Sequence, residues 1–264
     1  MNGNHRHASL RLALAAALAS GFTSVAHAEN LIAYSTESRM QIDLAVPDAA
    51  IKALIPAGWE GNVATTGAAK DANVRLIFVD QIAVAAPDGK PLGSGINQFV
   101  FLQIPVKQTV NGQAVTAQIV AGGIATDPTL VPNNGFTGFT KATDHKVVRT
   151  ETSNPDGGST LDESWSFTDA AGQHFEFSVA LKHTSANRGT STPKIYAADG
   201  KTYQSFNQVN MTDIAWNATT GANNITRDPV LKASGPTWAK LFDGSQKILS
   251  VDYQPWFTRD ISTP

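Results

Sequence analysis

The sequence predicts a mostly β protein, an antiparallel barrel or sandwich with a few short helices. Three observations carry this: many short apolar-rich runs of strand length, turn signals recurring between them, and only two segments with helical spacing. No linker-like stretch or internal repeat interrupts residues 29–264, so that span is expected to be a single β domain.

Taken in order, Glu29 to Arg39 is polar and reads as an entry strand or tail. Met40 to Val46 alternates apolar and polar, the period-two mark of a half-buried strand. Pro47 stops it and Asp48 is placed to cap a short helix over 49–55, where Ile51, Leu54 and Ile55 share a face and Pro56 ends the run. Asn73 to Val84 and Asn97 to Val106 read as strands, the first closed by the turn Pro87-Asp88-Gly89-Lys90. Asn111-Gly112 is a type I′ hairpin signal, and Gln113 to Ile124 returns from it. Lys146 to Thr152 is a further strand, and Glu163 to Thr168 with Gln173 to Lys182 forms the clearest hairpin, Phe175, Phe177, Val179 and Leu181 falling on one face. Ser185 to Pro193 reads as a polar loop, Val209 to Trp216 as a strand, Pro236 to Phe242 as a short helix, and Ile248 to Tyr253 as a last strand.

Residues 1–28 read as a secretory signal peptide. Arg6 and Arg11 precede the apolar run Leu12 to Ala19, and Ala26-His27-Ala28 is an A-x-A cleavage signature, with the cut expected after Ala28. The apolar run is too short for a membrane span. The expected location is therefore periplasmic or secreted. The chain has no cysteine, so disulfides and thiolate metal sites are excluded and the core must hold the fold. Losing Arg6 and Arg11 moves the formal charge from −2 to about −4, and no basic run occurs, which argues against a nucleic-acid partner.

Several catalytic constellations fail on residue type or spacing. His145, His174 and His183 are not at metal-ligand spacing with one another or with a carboxylate. No G-x-S-x-G elbow supports a serine hydrolase. Gly93-Ser94-Gly95 and Gly122-Gly123 are too short for a dinucleotide loop. Asn210, Asn217 and Asn224 each open a glycosylation triplet, but the leader's small residues look bacterial. Asp43, Asp162 and Glu163 sit where solvated strand edges or turns place carboxylates. Trp59, Trp165, Trp216, Trp238 and Trp256 read as core residues, with a sugar-stacking face as the alternative.

One stretch stands apart: Gly135-Phe136-Thr137-Gly138-Phe139-Thr140-Lys141-Ala142, in which glycines and aromatics lead into a lysine. An apolar wall from Phe136 and Phe139 would favour a neutral, nucleophilic amine. The plain alternative is a solvated lysine at a hairpin mouth.

Read together, three segments resemble the acetoacetate decarboxylase family. They are the strand, helix and proline run from Arg39 to Trp59; Phe139-Thr140-Lys141-Ala142 with Ile104-Pro105-Val106 and the Asn111-Gly112 turn before it; and Val209 to Val251, with Thr212-Asp213, Trp216 and Arg227-Asp228-Pro229. Lys182-His183 also fits. The resemblance implies a conical antiparallel barrel around a closed apolar cavity, in which Lys141 condenses with a ketone to form a Schiff base and Arg39 faces the substrate. Phe99, Phe136, Phe139 and Gln98 would line the ligand site. The implied ligand is a small carbonyl compound or keto acid, no cofactor or metal is required, and a homo-oligomer is implied. This chain departs from the family pattern at Thr140, where the motif has proline, and at Ala142, where it has a second lysine. The family's cavity glutamate falls near Gln98 and Phe99, where there is no carboxylate, and Glu37 is too far upstream to replace it. Two functions follow: an exported Schiff-base decarboxylase or aldol-type lyase, or a non-catalytic binder of an apolar ligand in the same barrel. A third, structural envelope role would leave the interior simply packed.

Overall fold

The computed structural model describes residues 29–132, 135–155, 157–183 and 185–264; the leader assigned to 1–28 lies outside them, as do Asn133 and Asn134. Thirteen strands run along the described chain: β1 (Asn30–Ala45), β2 (Glu60–Gly61), β3 (Val74–Ala85), β4 (Asn97–Val110), β5 (Gln113–Ala125), β6 (Phe139–Ser153), β7 (Ser159–Asp169), β8 (His174–His183), β9 (Asn187–Ser191), β10 (Lys194–Tyr196), β11 (Tyr203–Asn217), β12 (Ile225–Ser234) and β13 (Lys247–Thr263). One helix, α1 (Asp48–Lys52), accompanies them.

β5, β10, β11, β13, β1, β3 and β4 follow one another in pairing order, and β4 pairs back to β5. This closes a seven-stranded barrel. From β5 the sheet branches into a second layer, β6–β7–β8–β12. All barrel pairings are antiparallel except β10 with β5, and the branch from β5 to β6 is parallel as well.

The larger apolar core lies between the barrel wall and this second layer. Met40, Ile42, Leu44, Leu76 and Phe78 on the wall pack with Trp165, Phe167, Phe175 and Phe177 of the layer. Phe78 stands 5.7 Å from Trp165 and 5.6 Å from Phe177, ring centre to ring centre. Burying side chains of this size is the main favourable contribution to folding. Because strand side chains alternate, the intervening residues of β1, β3, β4 and β13 point into the barrel.

The Asn111-Gly112 turn joins β4 to β5 with φ of 50° and 76°, the left-handed pair a type I′ turn requires. Four local expectations are corrected. The first helix spans only Asp48–Lys52, and Asp48 lies inside its first turn, Pro47 being the residue before it. The segment from Pro236 yields a single 3-10 turn, Trp238–Lys240. The supposed loop at 185–193 contains β9, which pairs with β11. Glu163 is fully buried and not a solvated carboxylate, since alternate residues of β7 face the barrel; Asp43 is buried too. Asp162, on the other face of β7, is exposed as expected and pairs with Arg227 at 2.7 and 2.9 Å.

Candidate functional site

The barrel interior divides into an aromatic end and a polar end. At the aromatic end Phe99, Phe101, Phe136, Phe139, Val131 and Arg259 surround a space of about 10 Å³. Phe139 meets Phe99 edge-on at 6.2 Å, and Phe136 stacks on Phe206 at 6.4 Å. That volume is about one water molecule's worth of room. The aromatic end is therefore closed by its own side chains.

The polar end holds a cavity of about 330 Å³ whose wall includes Arg39, Gln41, Arg75, Gln103, Asp252 and Gln254, with Phe257 on one side. β1 contributes Arg39 and Gln41, β3 Arg75, β4 Gln103, and β13 Asp252 and Gln254. All but Arg75 are buried. Arg75 binds Asp43 through two hydrogen bonds, Nε to Oδ1 at 2.6 Å and Nη2 to Oδ2 at 3.2 Å. Gln41 Nε2 donates to Asp252 Oδ2 at 3.2 Å, and Ser250 Oγ donates to Asp252 Oδ1 at 2.7 Å.

A buried ionic group separates the two ends. Glu37, with no exposed surface, accepts from Arg39 Nε at 2.7 Å, from Ser35 Oγ at 2.9 Å and from Arg259 Nη2. Arg39 lies over the Phe257 ring at 3.6 Å and Arg259 over Phe206 at 5.1 Å. Burial alone would raise the Glu37 carboxyl, but Arg259 and Arg39 outweigh it and hold it below the usual range. Burial pushes Arg39 down to about 10, Glu37 opposing the fall and Arg259 adding to it, so the guanidinium stays charged at neutral pH. Arg39 Nη2 lies 2.6 Å from the same Glu37 oxygen but off the hydrogen-bond direction, which leaves this donor without a well-aimed acceptor. Gln81, almost wholly buried and paired in register with Glu37, has neither side-chain amide atom partnered among the described residues.

Of the residues singled out from sequence, Phe99, Phe136 and Phe139 meet at the aromatic end, and Arg39 lines the polar cavity. Gln98 does not join them. Its neighbour Phe99 points into the barrel, so Gln98 points out, where its Nε2 donates to Asp80 Oδ1 at 3.1 Å. Lys141 is exposed where β6 begins, in register with Ala125 of β5, and its side chain makes no hydrogen bond or ion pair among the described residues. The interior that the resemblance makes closed and apolar is polar over most of its volume. Sequence reasoning missed Glu37, Arg75, Gln103, Asp252, Gln254 and Arg259. For Glu37 the signal was the alternation in β1, where Ser35, Glu37, Arg39, Gln41 and Asp43 interleave with Met40, Ile42 and Leu44. Of these, the residue pattern alone places Asp43 at a solvated edge, whereas Glu37, Arg39, Gln41 and Asp43 all belong to the polar face of β1 that meets the barrel lumen.

A second ionic group lies between the layers. Arg149 of β6 donates to Glu163 at 2.6 Å and reaches Asp80 at 3.4 Å. Burial raises the Glu163 carboxyl, with Arg149 opposing. His183 Nδ1 lies 2.7 Å from Asp213 Oδ2. No group of three or more metal-ligating side chains occurs among the described residues, and none of their helices is long and apolar enough to cross a membrane.

No protein-family model matches the chain, and no curated protein does. Solved structures do. The enduracididine biosynthesis enzyme MppR with HEPES buffer bound superposes with a TM-score of 0.55 at 10% identity, covering 89% of this chain and 86% of that one. An acetoacetate decarboxylase-like enzyme from Sphingomonas wittichii RW1 gives 0.51 at 13% identity, covering 89% and 93%. MppR complexed with pyruvate gives 0.51 at 11%, covering 91% of each chain. At such identities the likeness establishes the fold alone.

Proposed function

We propose, from the premise that this chain has the acetoacetate decarboxylase-like fold, that it binds a small polar organic molecule inside the barrel. The observation that carries this reading is the 330 Å³ cavity and the unused hydrogen-bonding groups in its wall. That volume lies at the low end of the range for small-molecule sites, which are lined by a few placed polar groups. The features that make a lysine nucleophilic are an apolar burial site or a second cation beside it. Lys141 is exposed and is followed by Ala142, so this reading does without covalent attachment. A panel of small organic molecules screened by thermal shift against the wild type and Gln103→Trp tests it. Ligands that stabilise the wild type and not the filled-cavity variant support the reading; a panel without a hit sinks it.

A second reading is Schiff-base chemistry at Lys141, as a decarboxylase or aldol-type lyase acting on a small carbonyl compound or β-keto acid. It is favoured by the place of Lys141, two residues beyond the barrel-lining Phe139 and unengaged by any acid among the described residues. The amine would add to the ligand's carbonyl carbon and lose water to give an imine. A protonated imine then accepts the electron pair released with CO₂. Borohydride in the presence of acetoacetate should then add mass at Lys141, and an unmodified protein at saturating ligand removes this reading.

Export to the periplasm or beyond belongs to the same proposal and rests on residues 1–28. An N-terminus at Glu29 in the mature protein tests the cleavage, and sedimentation tests the proposed homo-oligomer.

A further inference from the structure

Side-chain amides are the commonest polar groups in the wall of the polar cavity. Gln41, Gln103, Gln118, Gln208, Asn210 and Gln254 converge on it from β1, β4, β5, β11 and β13. Each amide offers a carbonyl acceptor and an NH₂ donor, and much of that capacity is unspent. Gln103 and Gln118 make no side-chain hydrogen bond among the described residues. Gln254 donates to Thr212 Oγ1 at 3.3 Å, but its buried Oε1 has no partner. Arg39 Nη2, in the same wall, lacks a well-aimed acceptor.

The positive charges of the wall, in contrast, are already met. Arg75 is gripped by Asp43, and Arg39 by Glu37. Counting Arg259 and Asp252, three arginines face three carboxylates. An anionic ligand finds no surplus positive charge here, and it would have the Asp252 carboxylate for company. It would also leave amide carbonyls facing acceptors only. A hydroxyl group suits such a wall, because it donates to one amide oxygen and accepts from a neighbouring NH₂. Ile77, Ile195 and the edge of Phe257 supply the apolar surface against which a ring's C–H groups can lie.

We infer that the cavity takes an uncharged, multiply hydroxylated molecule of about monosaccharide size, with Gln103 and Gln254 setting the specificity. This rests on the binding reading above and names the ligand class for it. It departs from the keto acid that the fold resemblance implies.

Isothermal titration of the mature protein with myo-inositol and with methyl glucoside tests the assignment, with pyruvate and acetate titrated in parallel. Neither polyol carries a free carbonyl, so heat from them cannot come from imine formation. The expected result is binding of at least one polyol that Gln103→Leu weakens about tenfold, the effect of one lost net hydrogen bond. Gln103 makes no side-chain hydrogen bond among the described residues, so the variant should keep the wild-type melting temperature, and circular dichroism checks that it does. Binding of pyruvate or acetate but of neither polyol overturns the ligand class and leaves the binding reading standing. Polyol binding untouched by Gln103→Leu overturns the site. Silence from all four probes overturns this inference and counts against the binding reading too.

Discussion

Phe139 meets Phe99 edge to face across the aromatic end of the barrel, ring centres 6.2 Å apart, while two residues later the same strand releases Lys141 to solvent. The aromatic pair belongs to the smaller apolar cluster, with Phe101, Val120 and Ile261. Phe99→Ala should therefore cost about 3–5 kcal/mol, as for other buried aromatics. Urea denaturation gives the number, and a loss below about 1 kcal/mol would mean that this end is loosely packed.

Lys141 makes the opposite case. An exposed side chain without a partner contributes little, so Lys141→Ala should shift stability by less than about 0.5 kcal/mol. It should also leave binding in the polar cavity unchanged. A tenfold weaker affinity in the variant would place the amine in contact with ligand.

Glu37 is the carboxylate that Arg39 and Arg259 share in the barrel. Replacing it by glutamine leaves two buried guanidiniums facing each other without a counter-charge, at a cost of about 3–5 kcal/mol. Equilibrium unfolding of Glu37→Gln checks this. A near-neutral effect would mean that water reaches the arginines.

Asp252 sets a pH dependence. Burial raises its carboxyl from 3.8 to about 6, with Asp43 adding to the rise and Ser250, Arg75 and Gln41 opposing it. The unfolded chain has the ordinary value, so between about pH 4 and about pH 6 the folded form holds a proton that the unfolded form lacks. The stability this group supplies is complete below about pH 4 and is lost as pH rises through about 6. Asparagine imitates the protonated acid. Asp252→Asn should match the wild type near pH 4 and exceed it by about 2–3 kcal/mol near pH 7. Denaturation midpoints of both proteins across that range decide it, and a difference that does not change with pH refutes the assignment.

The β-rich architecture was legible because apolar alternation and turn residues are local signals. Asn111-Gly112 dictates its own hairpin, and Phe99, Phe136 and Phe139 announce an apolar wall whatever surrounds them. The barrel lumen was not legible. In β1 the alternation of Gln41 and Asp43 with Met40 and Ile42 is the same whether the polar face meets water or a closed interior, and only closure through β13 and β4 distinguishes the two. β9 is a polar strand held by the backbone of β11, so its own residues carry little strand signal.

Gly122-Gly123, too short for a dinucleotide loop, has a steric role. A Cβ on Gly123 would stand 2.1 Å from the Val100 carbonyl oxygen and 2.7 Å from the Phe139 ring. Gly123→Ala should therefore disturb the junction of β4, β5 and β6 and lower the melting temperature by several degrees, about what 1–3 kcal/mol of overpacking produces. An unchanged melting curve would mean that the strands can part there at little cost.

The pairing of β1 with β13 has a consequence for how the molecule comes into being. Asn30 lies opposite Thr263, so the barrel's seam joins its earliest described strand to its latest. On a ribosome or in a translocation channel, β1 must wait for more than two hundred residues before its partner emerges. Until then β1 and β11 present open edges, and the lumen with its arginines and carboxylates stands unsealed. A nascent chain short of β13 therefore cannot close the barrel, and it exposes strand edges of the kind that make partly folded chains prone to aggregate.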